Sequence, residues 1–189
     1  MTAFDYLSVL FSIVLGLSIT QLLAGFAGMV RYRARTAFYW PLPLQMLALF
    51  LINVQSWWAM FGMRHMRDWT FLSFFIVLMQ ITFTYLMSAT ITPDPVSEGA
   101  RLDQREFFFR EKTWFFLVSL GAIGSSLTKD FFVIPGPPGA IDIGAHGVFI
   151  TLILIGLFTT KDWVLKTIIP ITFLMYCAYI ALLFVSLPG

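Results

Sequence analysis

The sequence predicts an all-α protein: a polytopic transmembrane helical bundle of six spans, with a short amphipathic helix on the inner face between spans three and four. Three observations predict it. Of the 189 residues, 59% are hydrophobic and 12% charged, with a mean hydropathy of +0.84; an average globular domain has roughly 45–50% and about 25%. Apolar runs long enough to cross a hydrocarbon core of about 30 Å, roughly 20 residues each, recur six times. The runs are continuous, without the alternation that a membrane β-barrel requires.

The first run, residues 6–30, ends at the basic cluster Arg31-Tyr-Arg33-Ala-Arg35. It is expected to be retained: its N-terminal flank lacks Lys and Arg, and the run is too long for a signal-peptide core. The second run, 39–60, has Pro41 and Pro43 at its start, which delays the first turn rather than kinking the centre. The third, 69–92, is stopped by Pro93 and Pro95. Residues 94–112 form the one sizeable inner linker. Asp94 can cap and Pro95 can open a helix there, with Glu106 and Arg110 in the favourable i,i+4 order and Phe107-Phe-Phe109 at the headgroup boundary. The fourth run, 113–132, leads into Pro135-Gly-Pro-Pro-Gly139, a stiff turn. The fifth, 143–160, is short, and the sixth covers 167–187. The whole chain, 1–189, reads as a single transmembrane domain.

Loop charges set the orientation. With the N-terminus outside, nine of the twelve Lys and Arg fall inside, and only Arg64, Arg67 and Lys129 fall outside. That bias places both termini outside, periplasmic if the membrane is a bacterial inner membrane. All six tryptophans lie near span ends, where indoles favour the interface. A net charge of +2 excludes a polybasic nucleic-acid binder, and the single Cys177 excludes an internal disulfide or a CxxC metal site.

Short patterns recur across the two halves. Arg67-Asp68-Trp69 matches Lys161-Asp162-Trp163, and Gly16-Leu-Ser-Ile-Thr20 matches Gly124-Ser-Ser-Leu-Thr128. Three spans separate the copies, the arrangement of an inverted repeat in transporters, although apolar helices share letters easily by chance. Gly25-Phe-Ala-Gly28, Gly121-Ala-Ile-Gly124-Ser-Ser126 and Gly144-Ala-His-Gly147 suggest close helix contacts.

The opening Phe4-Asp-Tyr-Leu-Ser-Val-Leu-Phe-Ser-Ile-Val-Leu-Gly-Leu-Ser-Ile-Thr-Gln-Leu-Leu-Ala-Gly25 resembles that of a family of small uncharacterised bacterial multispanning proteins. The likeness continues through Phe38-Tyr-Trp40, Trp57-Trp58 and Arg105-Glu-Phe-Phe-Phe-Arg110, to about residue 116, and fades over the last two spans. The resemblance implies a bacterial inner membrane and brings no activity with it.

Polar side chains within lipid cost free energy unless paired or hydrated, so they mark candidate sites. Gln21 and Gln80 lie near the middle of spans one and three, Asn53 in span two and Thr84 one turn after Gln80. Together these four form a candidate polar path, with interhelical hydrogen bonding as the plainer alternative. No charged residue occupies a span centre, which argues against a proton-driven carrier. A second candidate cluster gathers at the outer face: Asp5, Lys129, Asp130, Asp142 and His146. Asp142 and His146 are four residues apart on one helix face, a geometry that suits a pH-sensitive pair or an Asp–His bond orienting the turn. Two ligands do not make a metal site, and no metal is expected.

No cofactor is expected either: His65 and His146 sit at span ends on separate helices with nothing to mark a haem pocket. There is no HExxH, GxSxG or phosphate loop, and Ser125 and Ser126 lack an evident base, so an enzyme is not expected. The leading reading is a small channel- or transporter-like homo-oligomer with an uncharged polar path. The alternatives are a non-catalytic scaffold or accessory subunit of a larger membrane complex, and an intramembrane or lipid-modifying enzyme. The channel reading requires Gln21 and Gln80 to face one cavity. The enzyme reading requires Asp130, Asp142 and His146 to converge.

Overall fold

The computed structural model describes residues 3–66, 69–94, 101–134 and 136–183. Six long helices carry the fold: α1 (Ala3–Arg31), α2 (Pro41–Met60), α3 (Phe71–Ile91), α4 (Gln104–Phe132), α5 (Ala140–Phe158) and α6 (Asp162–Leu183). Each is long and apolar enough to cross a membrane. The architecture is therefore the six-span all-α bundle that hydropathy predicts.

Local chemistry sets the helix ends. Pro41 opens α2 at its first turn, where a missing N–H costs nothing. Thr70 and Ser73 form a reciprocal capping box at the start of α3. Residues 67 and 68, two of the three in one copy of a repeated motif, lie outside the described residues, as does Pro95. Gly136, at φ +96°, supplies the left-handed residue in the turn between α4 and α5.

One expectation is corrected. Residues 104–112 are helical, but they are the first turns of α4 and not a separate amphipathic helix. The cap of α4 is Asp103, whose carboxylate accepts from the N–H groups of Arg105 and Glu106 at 2.9 and 3.0 Å; a helix start at Asp94-Pro95 falls on residues outside those described. At 29 residues α4 extends about 43 Å, so its charged first turns project past the hydrocarbon while its later turns cross it. The linker before it is held by a short parallel pairing, β1 (Thr36–Ala37) with β2 (Leu102–Asp103). Helices α5 and α6 likewise start before the apolar runs do, at Ala140 and Asp162.

The bundle has two ends of different character. At the arginine-rich end, Leu22, Leu42, Met46, Leu49, Met87, Ile91, Phe107, Phe108, Phe115, Phe116, Leu165 and Ile169 form one core drawn from α1, α2, α3, α4 and α6. At the opposite end the core holds Phe11, Leu15, Met60, Met63, Val77, Ile81 and Val133, with nothing from α5 or α6. Close approach is enforced by glycine at two points. A Cβ on Gly25 would meet Met46 and Thr92 at 2.6 Å, and Gly156 of α5 lies directly against the ring of Phe116.

Polar ties reinforce the arginine-rich end. Tyr39 Oη donates to Asp162 Oδ1 at 2.8 Å, and Lys166 Nζ reaches Asp162 Oδ2 at 2.7 Å. Burial, and then the bonded Asp162 carboxylate, push the Tyr39 phenol above its ordinary pKa. Gln104 Oε1 accepts from the Tyr39 N–H at 2.9 Å. Lys112, buried within α4, donates to the carbonyls of Leu157 (3.1 Å) and Gly156 (3.5 Å). These carbonyls belong to the last turn of α5, which has no helical partners for them and bears the negative end of the dipole.

Candidate functional site

The missing core contribution of α5 and α6 is a cavity. It has a volume of about 470 Å³, lies between α2, α3, α4, α5 and α6, and is lined at one end by the 136–139 turn, of which Gly136, Pro137 and Gly139 are exposed. Its origin is in the sequence of α4. The inward positions Phe115 and Phe116 fill the space at the arginine-rich end and form the floor, while Ser119, Ala122, Ile123 and Ser126 follow at helical spacing and leave the space open. Gly121, on another side of the helix, packs against Phe83. The small-residue patch 121–126 thus makes one tight contact and one void.

Polar groups line the cavity along its length. Gln45, Gln55, Gln80 and Thr84 are among them, Gln45 and Gln55 standing about 15 Å apart along α2. Thr84 Oγ1 donates to the Gln80 carbonyl at 3.0 Å, and Tyr176 Oη donates to Gln55 Oε1 at 2.8 Å. Nearer the 136–139 turn lie Ser126, Lys129, Asp130, Asp142, His146 and Tyr179. Two of the four polar-path residues and four of the five outer-face residues therefore share one cavity.

The other three are elsewhere. Gln21 is half-buried on α1, which contributes no wall. Asn53 is fully buried outside the cavity lining; its Nδ2 donates to the Leu49 carbonyl at 2.8 Å, and its Oδ1 has no protein partner. Asp5 sits in the exposed first turn of α1, where its charge suits the helix dipole. Between α1 and α3 the polar contact is instead Ser18 Oγ to Ser88 Oγ at 2.8 Å, an interhelical bond sealed in the core.

His146 organises the wall near the turn. Its Nδ1 lies 2.7 Å from the backbone carbonyl of Asp142, which can only accept, so Nδ1 carries a hydrogen. In the neutral ring Nε2 is then the acceptor, and Ser126 Oγ lies 3.2 Å from it. Ser119, Ser125 and Thr128 on the same helix all donate to the carbonyl four residues back; Ser126 turns to the imidazole instead. Asp130 Oδ2 is 3.8 Å from Nε2, and Lys129 Nζ is 3.5 Å from Asp130 Oδ1. The Asp142 carboxylate does not bond the imidazole; it accepts from Tyr179 Oη at 2.9 Å.

Three expectations change accordingly. The Asp142–His146 contact runs through the backbone carbonyl and not the side chain. Ser126 does face a base, because α5 leans its second turn against α4. His146 lies on a cavity, although among the described residues no group of three or more His, Cys, Asp or Glu is placed to hold a metal ion. Tyr176 and Tyr179 are participants that the reading by spans passed over. Their signal was a pair of phenols three residues apart inside an apolar run, where each hydroxyl needs a buried partner. Comparisons with protein-family models, curated proteins and solved structures find no match for this chain.

Proposed function

We propose that the protein is a transporter-like membrane protein, working as a homo-oligomer, whose cavity takes up a small amphipathic solute from the side of the 136–139 turn. One observation supports this reading: a largely apolar cavity, edged by amides, hydroxyls and charged groups, is lined by the exposed residues Gly136, Pro137 and Gly139 at one end and by the buried rings of Phe115 and Phe116 at the other. The amides of Gln45, Gln55 and Gln80 offer hydrogen bonds to a solute's polar part, and Ile52, Ile81 and Ile168 accommodate an apolar one. The excess of Lys and Arg at the end of Phe115 and Phe116 supports an inside location for that end and an outside one for the 136–139 turn. A closed floor supports an alternating carrier over an open channel, and the path does not run through Gln21 or Asn53.

Catalysis is a weaker use of Ser126 and His146. Ser126 lies within α4, where backbone N–H groups are spent on helical bonds, so none is free there to stabilise an oxyanion. The test is accessibility in proteoliposomes, in a Cys177→Ser background. Gln80→Cys and Ser119→Cys should react with a membrane-impermeant cationic thiol reagent from one side, and Gln21→Cys should not. Unreactive thiols at both Gln80 and Ser119 would sink the reading.

A further inference from the structure

The wall near the turn has an unbalanced charge. Lys129 brings one positive charge against the carboxylates of Asp130 and Asp142, so with a neutral His146 the wall is negative by one unit. Asp142 is well served: it accepts from Tyr179 and stands in the first turn of α5, where the dipole favours an anion. Asp130 is not. It lies near the C-terminus of α4, where the dipole opposes it, and its ion pairs with Lys129 and His146 at 3.5 and 3.8 Å exceed the roughly 2.7–2.9 Å of a charge-assisted hydrogen bond.

His146 can supply the missing charge, and at one atom only. The Asp142 carbonyl occupies Nδ1–H, so an added proton must go to Nε2, the atom that faces both Ser126 Oγ and Asp130 Oδ2. Neutral, Nε2 accepts from Ser126. Protonated, it becomes a donor and balances Asp130. The other titratable groups on these walls are Lys129 of α4, Asp142 of α5, and Tyr176 and Tyr179 of α6, whereas α2 and α3 present uncharged amides.

We propose that the cavity binds a monovalent organic cation with an apolar body, and that the cation and a proton on His146 compete for Asp130. The proposal rests on reading the cavity as a solute site. The cation's charge takes the place of the imidazolium, and its body meets the edge-packed rings of Phe149 and Tyr176, 6.2 Å apart, above the floor. Because linkage is reciprocal, cation binding expels the proton as much as the proton expels the cation. That is the thermodynamic core of an antiporter. The lack of a charged residue at any span centre does not oppose it, since Asp130 and His146 both stand within two turns of a helix end.

The experiment uses the full chain in lipid nanodiscs with two probes of the same shape, benzyltrimethylammonium and its uncharged carbon isostere neopentylbenzene. Binding is measured at about pH 8 and about pH 5.5, on either side of the range in which an imidazole changes charge. The cation should bind about tenfold or more tightly at the higher pH, releasing up to one proton per cation in weak buffer between those limits. Neopentylbenzene should bind equally at both. His146→Gln should keep cation binding and lose its pH dependence, and Asp130→Asn should abolish the preference for the cation. Cation affinity that is the same at both pH values, or a pH dependence that survives His146→Gln, would overturn the proposal. Hydrocarbon binding with no preference for the cation overturns the cation assignment alone, whereas failure of both probes to bind removes the solute-site reading beneath it.

Discussion

The two halves of α4 differ in a way that shapes the whole molecule. The first half turns Phe107, Phe108, Phe115 and Phe116 inward, and five helices close around them. The second half turns Ser119, Ala122 and Ser126 inward, and α5 and α6 meet the other helices there through polar contacts around a cavity and not through a shared apolar core. The first half also anchors α5 through Lys112 and the Phe116–Gly156 contact. The two ends of α5 are thus held differently: apolar packing and Lys112 hold its C-terminal turn, and the polar contacts of Asp142 and His146 hold its start. The difference teaches that side-chain volume along one helix, more than the number of polar groups, decides where a membrane bundle can hold a solute.

The largest effect should come from breaking the closed end. Gly156→Leu drives a branched side chain into the Phe116 ring, and overpacking of this kind costs about 2–3 kcal/mol. Thermal unfolding in detergent should show a clearly lower midpoint, and a midpoint within a degree of wild type would mean that α5 is not anchored there. Asp162→Asn comes next. It weakens the contacts with Tyr39, Lys166 and Arg105 together, for about 1–2 kcal/mol. Because Arg105 is exposed, part of that loss should vanish in high salt, while the loss from Tyr39→Phe should not.

Much of this contrast was legible in the sequence, but not its consequence. Six apolar runs of span length give six helices, and the pairings Lys129-Asp130 and Asp142/His146 follow from adjacency and the helical repeat. The continuity of α4 was hidden because the charges of Arg105, Glu106, Arg110, Glu111 and Lys112 read as a surface helix apart from the span that follows. Arg105, Glu106 and Arg110 are exposed beyond the apolar segment, and Lys112 extends to carbonyls on another helix, a partner no local pattern announces. The cavity was hidden because small residues signal close packing and empty space equally well. Gly121 does the first and Ala122 the second, one residue apart. Gln21 and Gln80 look alike in an apolar run, and only the placement of α1 outside the cavity walls separates them.

A substitution that makes the second half of α4 resemble the first tests this directly. Ala122→Phe carries the aromatic floor further into the cavity, and because the ring enters existing space, stability should change by no more than about 1 kcal/mol. Thiol labelling of Gln80→Cys in the same chain should nevertheless slow by about tenfold, since a 470 Å³ cavity has little room to spare for a phenyl ring on the route inward. A large drop in stability would mean that the space closes in the membrane, and unchanged labelling would mean that Gln80 is reached by another route.

The smallest effects separate the two glutamines. Gln80→Leu removes an amide from the cavity wall, so binding of a polar solute should weaken while the unfolding midpoint barely moves. Gln21→Leu touches no wall, and its cost should not exceed the roughly 0.6 kcal/mol typical of a single interhelical hydrogen bond in a membrane protein. Solute binding should be unchanged in that variant, as measured with the same probes in nanodiscs. If Gln21→Leu weakened binding as much as Gln80→Leu, the helix α1 would have to move far enough to bring its amide to the solute, and the close contact of Gly25 with Met46 and Thr92 would have to open. The comparison between the two ends therefore rests as much on a substitution that changes nothing as on those that change a great deal.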